Sequence, residues 1–279
     1  MATETVQECS GFMYIDCHCH LADKSFDEDI DHVVLEAKKN GVKAALVCGT
    51  CVEEFDKVIK LADRYPDFIL PCLGVHPVQG ALTGDQRCVN LKDLEEAIPW
   101  IDKYHDRLGA IGEVGLDFQP RITQSSEDKD IQREVLTKQI ELSKKYHLPL
   151  NVHSRSAGRP TITLLKEQGA ENVLLHAFDG NPKYALDGVK QGYYFSIPPS
   201  IVRSEQQKLV KALPIESLLL ETDSPALGPE KQTRNVPANI QTSCDYIASV
   251  KKIDPLHLSQ LTTQNAIKLF PKLAKFVIK

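Results

Sequence analysis

Two histidines spaced two residues apart, His18 and His20 in YIDCHCHL, interrupt what otherwise reads as the end of a buried strand. On an extended backbone their side chains share a face, with Cα atoms roughly 6.5–7 Å apart, so two imidazoles can grip one ion. Cys17 and Cys19 are expected to alternate to the other face. Further along stand Glu113 in IGEVGLD, His153 in NVHSR, His176 in LLHAF and Asp223 in LETDSP, each at or just past the end of an apolar run. All six offer nitrogen or oxygen donors. A His and carboxylate set without thiolate suits Zn, Mn, Ni or Fe and, less well, Mg. Six donors exceed one tetrahedral ion, so the economical reading is two divalent ions (Zn, Mn, Mg or Ni) bridged by Glu113. Taken singly, each residue has a plainer explanation. A lone strand-end His is commonly a hydrogen-bonded interior residue, and Glu113 or Asp223 could be an ion-pair partner or turn former. Coincidence at five strand ends is the harder account.

Other polar residues fall near the same strand ends. His76 in GVHP could bind substrate or cap a turn. Asp117 could orient a ligand or water, or form a loop salt bridge. Arg155 could hold a phosphate oxygen with its planar fork, and Arg234, with Asn235 in RNVP, follows the last strand, where barrels often bind phosphate. The alternative for both arginines is a solvated surface position. Glu221 could orient the end of the last strand or pair with a basic neighbour. Cys48 and Cys51 have the spacing of a redox motif but stand without a second pair. The eight cysteines lack a secretory context and are expected to be reduced, packing as small hydrophobes.

Positioning such scattered side chains requires many strands ending on one side. Short apolar runs recur at 12–16, 43–49, 68–75, 109–115, 149–154, 172–178, 193–197 and 217–223, several without alternation, as in parallel strands buried on both faces. Helical patterns lie between them, with Gly or Pro stops, and the chain from 240 onward reads as helical. Eight strand–helix units predict an α/β fold, a closed (β/α)₈ TIM barrel over residues 12–279, with the chemistry at the C-terminal ends of the strands. An open doubly wound sheet is the rival, weakened by the lack of GxGxxG or GxxxxGK[ST] after the first strand. The polar segment 119–130 is expected to be a mobile loop, and residues 1–11 a disordered lead-in.

The chain has 279 residues and a formal charge of -5. That balance predicts no broad basic surface for nucleic acid or anionic lipid, so a polyanion would have to be met by local cations. No apolar run approaches the ~20 residues of a membrane helix, and the polar start lacks a signal pattern. A cytosolic or nuclear protein is expected, with no membrane partner and no organic cofactor.

The ordered set DCHCHL, GVHP, IGEVGLDF, NVHSR, LLHAFDG, LLLETDSP, RNVPANI and TTQNAIKLF resembles the TatD family of metal-dependent deoxyribonucleases over nearly the whole chain. The resemblance implies an amidohydrolase-like TIM barrel and hydrolysis of DNA phosphodiester bonds, as a 3'-5' exonuclease or at abasic sites. It places the metal ligands on His18, His20, Glu113, His153, His176 and Asp223. Glu113 stands where many amidohydrolases have a carboxylated Lys, and Glu113 and Asp223 would serve catalysis. His76, Asp117, Arg155 and Arg234 would contact DNA. Two departures stand out: the loop after the last strand looks short and weakly basic, and Cys17 replaces a small hydroxyl residue. The rival functions are hydrolysis of a small amide, lactone or phosphoester on the same scaffold, and a non-catalytic binding protein stabilised by metal.

Overall fold

In the computed structural model, residues 11–80, 84–204 and 206–277 are described. Apart from Gly11, the expected lead-in lies outside them. The eight apolar runs form β1 (Tyr14–Cys19), β2 (Val42–Gly49), β3 (Ile69–Leu73), β4 (Ala110–Asp117), β5 (Leu150–Arg155), β6 (Val173–Leu175), β7 (Tyr194–Ile197) and β8 (Leu218–Leu220). They lie side by side in chain order, and every pair in the sheet is parallel. Helices α1 (Ile30–Lys39), α2 (Val52–Arg64), α3 (Leu91–Tyr104), α4 (Ser126–Tyr146), α5 (Gly158–Glu167), α6 (Pro182–Lys190), α7 (Gln207–Ala212) and α8 (Ile240–Lys251) follow the successive strands. Between β3 and α3 the chain adds a two-residue antiparallel ladder, Val78–Gln79 against Arg87–Cys88.

The seam between β1 and β8 decides between a barrel and an open sheet. Asp223 N donates to His18 O at 2.9 Å and His20 N to Ser224 O at 2.7 Å. Below them the Asp16 carboxylate accepts the Thr222 N–H at 2.9 Å and the Thr222 hydroxyl at 2.5 Å. A side chain thus does part of what a backbone ladder does elsewhere, and the sheet closes into a (β/α)₈ barrel. Burial pushes the Asp16 carboxyl up to about 7, although its Thr222 bonds pull the other way.

Side chains divide by strand alternation. Ile15, Cys17, Leu46, Cys48, Cys72 and Leu219 fill the barrel, while Val47, Leu73, Val152, Leu175 and Leu220 face the helices. Helices α9 (Pro255–Leu269) and α10 (Ala274–Val277) cover the end where the strands begin. There Leu269, Phe270, Leu273 and Phe276 join the inner cluster, and Asn265 Nδ2 donates to Leu218 O. With that end covered, the opposite mouth is the one left for a ligand.

Two local expectations are corrected. Cys17 and Cys19 do not share a face: the β1–β2 register shifts between Asp16 and Cys19, which puts Cys17 inside the barrel and Cys19 under the helices. The segment 119–130 is not all loop. Ser125 and Asp128 form a capping box that starts α4 at Ser126. The seven described cysteines are free and six are buried. Burial holds the Cys48 thiol well above its usual range, which argues against a reactive thiolate in the Cys48–Cys51 pair. Among the described residues, no helix is long and apolar enough to cross a membrane.

Candidate metal centre

Five strands deliver the donors to one place. His18 and His20 leave the end of β1, and their Nε2 atoms come within 3.1 Å of each other. His20 Nε2 lies 3.3 Å from both Glu113 Oε2 and Asp223 Oδ1, and His18 Nε2 lies 3.5 Å from Asp223 Oδ1. A second group gathers on the other oxygen of the same glutamate. Glu113 Oε1 is 2.7 Å from His176 Nε2 and 3.0 Å from His153 Nδ1. Glu113 does not follow β4, as the sequence suggested, but sits within it. Its local backbone is made by glycines. Gly115 has φ +146, and a Cβ there would stand 2.0 Å from His153 O, so only glycine lets β4 and β5 approach this closely.

Surrounding residues fix which ring nitrogen faces inward. Asn151 donates through Nδ2 to Cys17 O at 2.9 Å, so its Oδ1, 2.8 Å away, accepts the His18 Nδ1 proton. His20 Nδ1 donates to Cys48 O at 3.1 Å. Both Nε2 atoms therefore point at one another and at two carboxylate oxygens. No proton-poor arrangement of those four atoms is stable without a cation among them, and the donor set fits a divalent metal. On the other side, Asp117 Oδ2 lies 3.4 Å from His153 Nε2, turning Nδ1 toward Glu113. Asp117 is itself held by the Gln119 N–H at 2.9 Å. His176 Nδ1 is buried without a hydrogen-bond partner among the described residues. Its nearest carboxylate is Glu221 Oε2, 3.9 Å away.

The charges follow from this crowding. Burial opposes charge on every group, yet the histidines hold the Glu113 and Asp223 carboxyls below their usual range. Burial would lower His20, but Asp223 and Glu113 override it and carry the imidazole up to about 10. In the same way Asp117 and Glu113 raise His153 to about 8. His176 is the exception: burial and then the positive field of stacked His18 push it down to about 3.

A cavity of about 370 Å³ opens over the cluster. His76 lines it, accepting the Val78 N–H through Nδ1 at 2.9 Å. Its Nδ1 also stands 3.1 Å from Val78 O, and its Nε2 lies 3.4 Å from Glu113 Oε1. Arg155 also lines the cavity. Arg234 does not: both of its terminal nitrogens engage the Asp29 carboxylate, the nearer contact at 2.5 Å, and its guanidinium lies over Phe26. The expectation that Arg234 stands ready for phosphate is corrected, because Asp29 already fills its fork. Asn235 is buried and donates to Thr222 O at 2.7 Å, bracing the end of β8. Asn151 went unnoticed in the sequence, although a polar residue inside an apolar strand two places before His153 was a visible signal.

The profile of the TatD related DNase family matches residues 15–271. The chain belongs to that family. It is 59% identical to the human protein named Deoxyribonuclease TATDN3, covering 97% of this chain and 99% of the relative. The uncharacterized metal-dependent hydrolase YabD of Bacillus subtilis is 33% identical over 92% of this chain and 99% of its own. Among solved structures, the TatD homologue YjjV of Escherichia coli superposes with a TM-score of 0.82 at 26% identity, covering 94% of this chain and 99% of that one. This TatD-family barrel therefore shares its architecture with solved relatives along nearly its full length.

Proposed function

We propose that the chain is a deoxyribonuclease that hydrolyses DNA phosphodiester bonds with two divalent ions, and that His18, His20, Glu113, His153, His176 and Asp223 hold them. One observation carries the reading: the two oxygens of Glu113 face two separate groups of imidazole nitrogens, His18 and His20 on one side and His153 and His176 on the other. The human relative's name supports DNA as the substrate. Bound ions would lower the pKa of an attacking water and offset phosphate charge. His18 and His20 meet Asp223 through Oδ1, which leaves Oδ2 to receive a proton from that water. His76, whose Nε2 faces the cavity, donates to a phosphate oxygen, and Arg155 holds the strand at the rim. Asp117 contributes by fixing His153, and its contact with DNA is secondary. None of these groups reads a base edge, which suits an enzyme acting at strand ends or abasic sites.

The test is turnover of single-stranded, duplex and abasic oligonucleotides by chain loaded in turn with Zn, Mn, Mg and Ni, beside a panel of lactones and small amides. Glu113→Ala should lower turnover at least ~100-fold and reduce bound metal. Rapid hydrolysis of a lactone or amide with no DNA cleavage would replace this reading with a small-molecule hydrolase. Turnover unchanged in Glu113→Ala would place the activity elsewhere.

A further inference from the structure

We propose that Gln132 and Gln139 are positioning residues for one half of the metal centre: their side-chain amides replace a missing length of strand between β3 and β4, and so fix Asp117 and His76 beside His153. The inference rests on the two-ion reading of the centre, and on hydrogen bonds for its residues. α4 turns an apolar face to the barrel, with Val135, Leu136 and Ile140 buried. Gln132 and Gln139 interrupt that face about two turns apart, and both are wholly buried. An amide packed among such neighbours has to find partners.

The partners are backbone groups that the sheet leaves over. Among the described residues β3 pairs with β4 only at Cys72–Ala110 and Leu73–Ile111, whereas β4 runs on to Asp117. On its other edge β4 stays paired with β5 as far as Asp117–Arg155, where the Phe118 N–H donates to Arg155 O at 3.0 Å. Asp117 itself therefore directs its N–H and C=O away from β5, toward the gap that β3 leaves. Gln132 fills that gap: Oε1 accepts the Asp117 N–H at 2.8 Å, and Nε2 donates to Asp117 O at 2.9 Å. Gln139 does the same for Val75, accepting its N–H at 2.8 Å and donating to its carbonyl at 3.0 Å. Val75 precedes His76, whose ring meets His153 edge-on with centroids 4.4 Å apart. The Asp117 carboxylate faces His153 Nε2. One helix thus braces both neighbours of His153 from behind. The other half of the centre has separate support, because His18, His20 and Asp223 are aligned by the bonds between β1 and the end of β8. Loss of either amide should loosen one half and spare the other.

The test is titration of zinc into the metal-free full chain against a competing chelator of known affinity. Gln132→Leu should weaken one of the two zinc equivalents by about 10-fold and leave the other unchanged. Gln132→Glu, close in shape, still accepts the Asp117 N–H but cannot donate to the carbonyl as a carboxylate. It should act in the same direction, and it serves where the Leu variant folds poorly. In an Asp117→Asn chain, Gln132→Leu should add about 2-fold or less, because the two residues act in series. A merely structural glutamine would cost as much in either background. Gln139 acts through His76, so Gln139→Leu should lower oligonucleotide turnover by roughly 10–100-fold and add little once His76→Ala is in place. Equal weakening of both zinc equivalents, zinc binding unchanged in both Gln132 variants, or a full loss in the Asp117→Asn background would overturn the proposal. A chain that shows the one-sided zinc loss and cleaves no DNA refutes the nuclease reading alone. A chain that cleaves DNA, with both equivalents unaltered in the Gln132 variants, refutes the positioning role alone.

Discussion

Asn151 does two jobs with one amide, holding the Cys17 carbonyl and the His18 ring. Asn151→Ala should weaken metal affinity by about 10–100-fold, as loss of a ligand's orienting partner does. Competition against a chelator of known affinity would measure it. The histidines also set a pH dependence. In the metal-free protein His20 and His153 titrate near 10 and 8, above the ~6.5 of an unfolded His. Their contribution to stability is complete below about pH 6.5 and is lost as pH rises through 8 and then 10. Asp16, raised to about 7, acts in the same direction from a lower pH. The melting temperature of metal-free chain should therefore fall between pH 6.5 and 9, while metal affinity rises because ions displace those protons. A melting temperature rising with pH over that range would contradict these shifts. Much of this convergence was legible, because a His or acid at the end of an apolar strand is conspicuous. Arg234 was not, since its partner Asp29 lies 205 residues away in sequence.

At the scale of elements, the β4–β5 pair is where backbone and site are least separable. Its register shifts between Ile111 and Val114, and Gly115 sits against the His153 carbonyl. Gly115→Ala should destabilise the fold by on the order of 3 kcal/mol, because a Cβ cannot occupy that position at positive φ. Denaturant melts and far-UV spectra would report it, with metal binding falling in whatever chain still folds. Alternation of strand and helix was readable throughout, since burial on both faces leaves β-branched runs that few other structures need. The bulge in β1 was not readable. Period-two alternation is blind to one extra residue, so Cys17 and Cys19 could not be assigned to opposite sides of the sheet. The start of α4 was misjudged because its first turn is entirely polar, though Ser125 and Asp128 carried the capping signal.

For the whole molecule, the proposed centre draws on five strands, so bound metal and fold would stabilise one another. Metal at a thousandfold excess over its dissociation constant should add about 4 kcal/mol. Calorimetry should show the melting temperature dropping on chelation and recovering on titration with metal; a melt indifferent to chelator would mean the ions contribute nothing to the folded state. The seam between β1 and β8 has a further consequence. His18 and His20 stand near one end of the chain, Asp223 comes two hundred residues later, and the backbone bonds that align them join the first strand to the last. During synthesis, the amino-terminal half emerges carrying an unfinished cage. A prematurely terminated polypeptide lacking β8 forfeits the Asp223 carboxylate and the backbone bonds that align both imidazoles, so the cluster takes shape only once the last strand has joined the first.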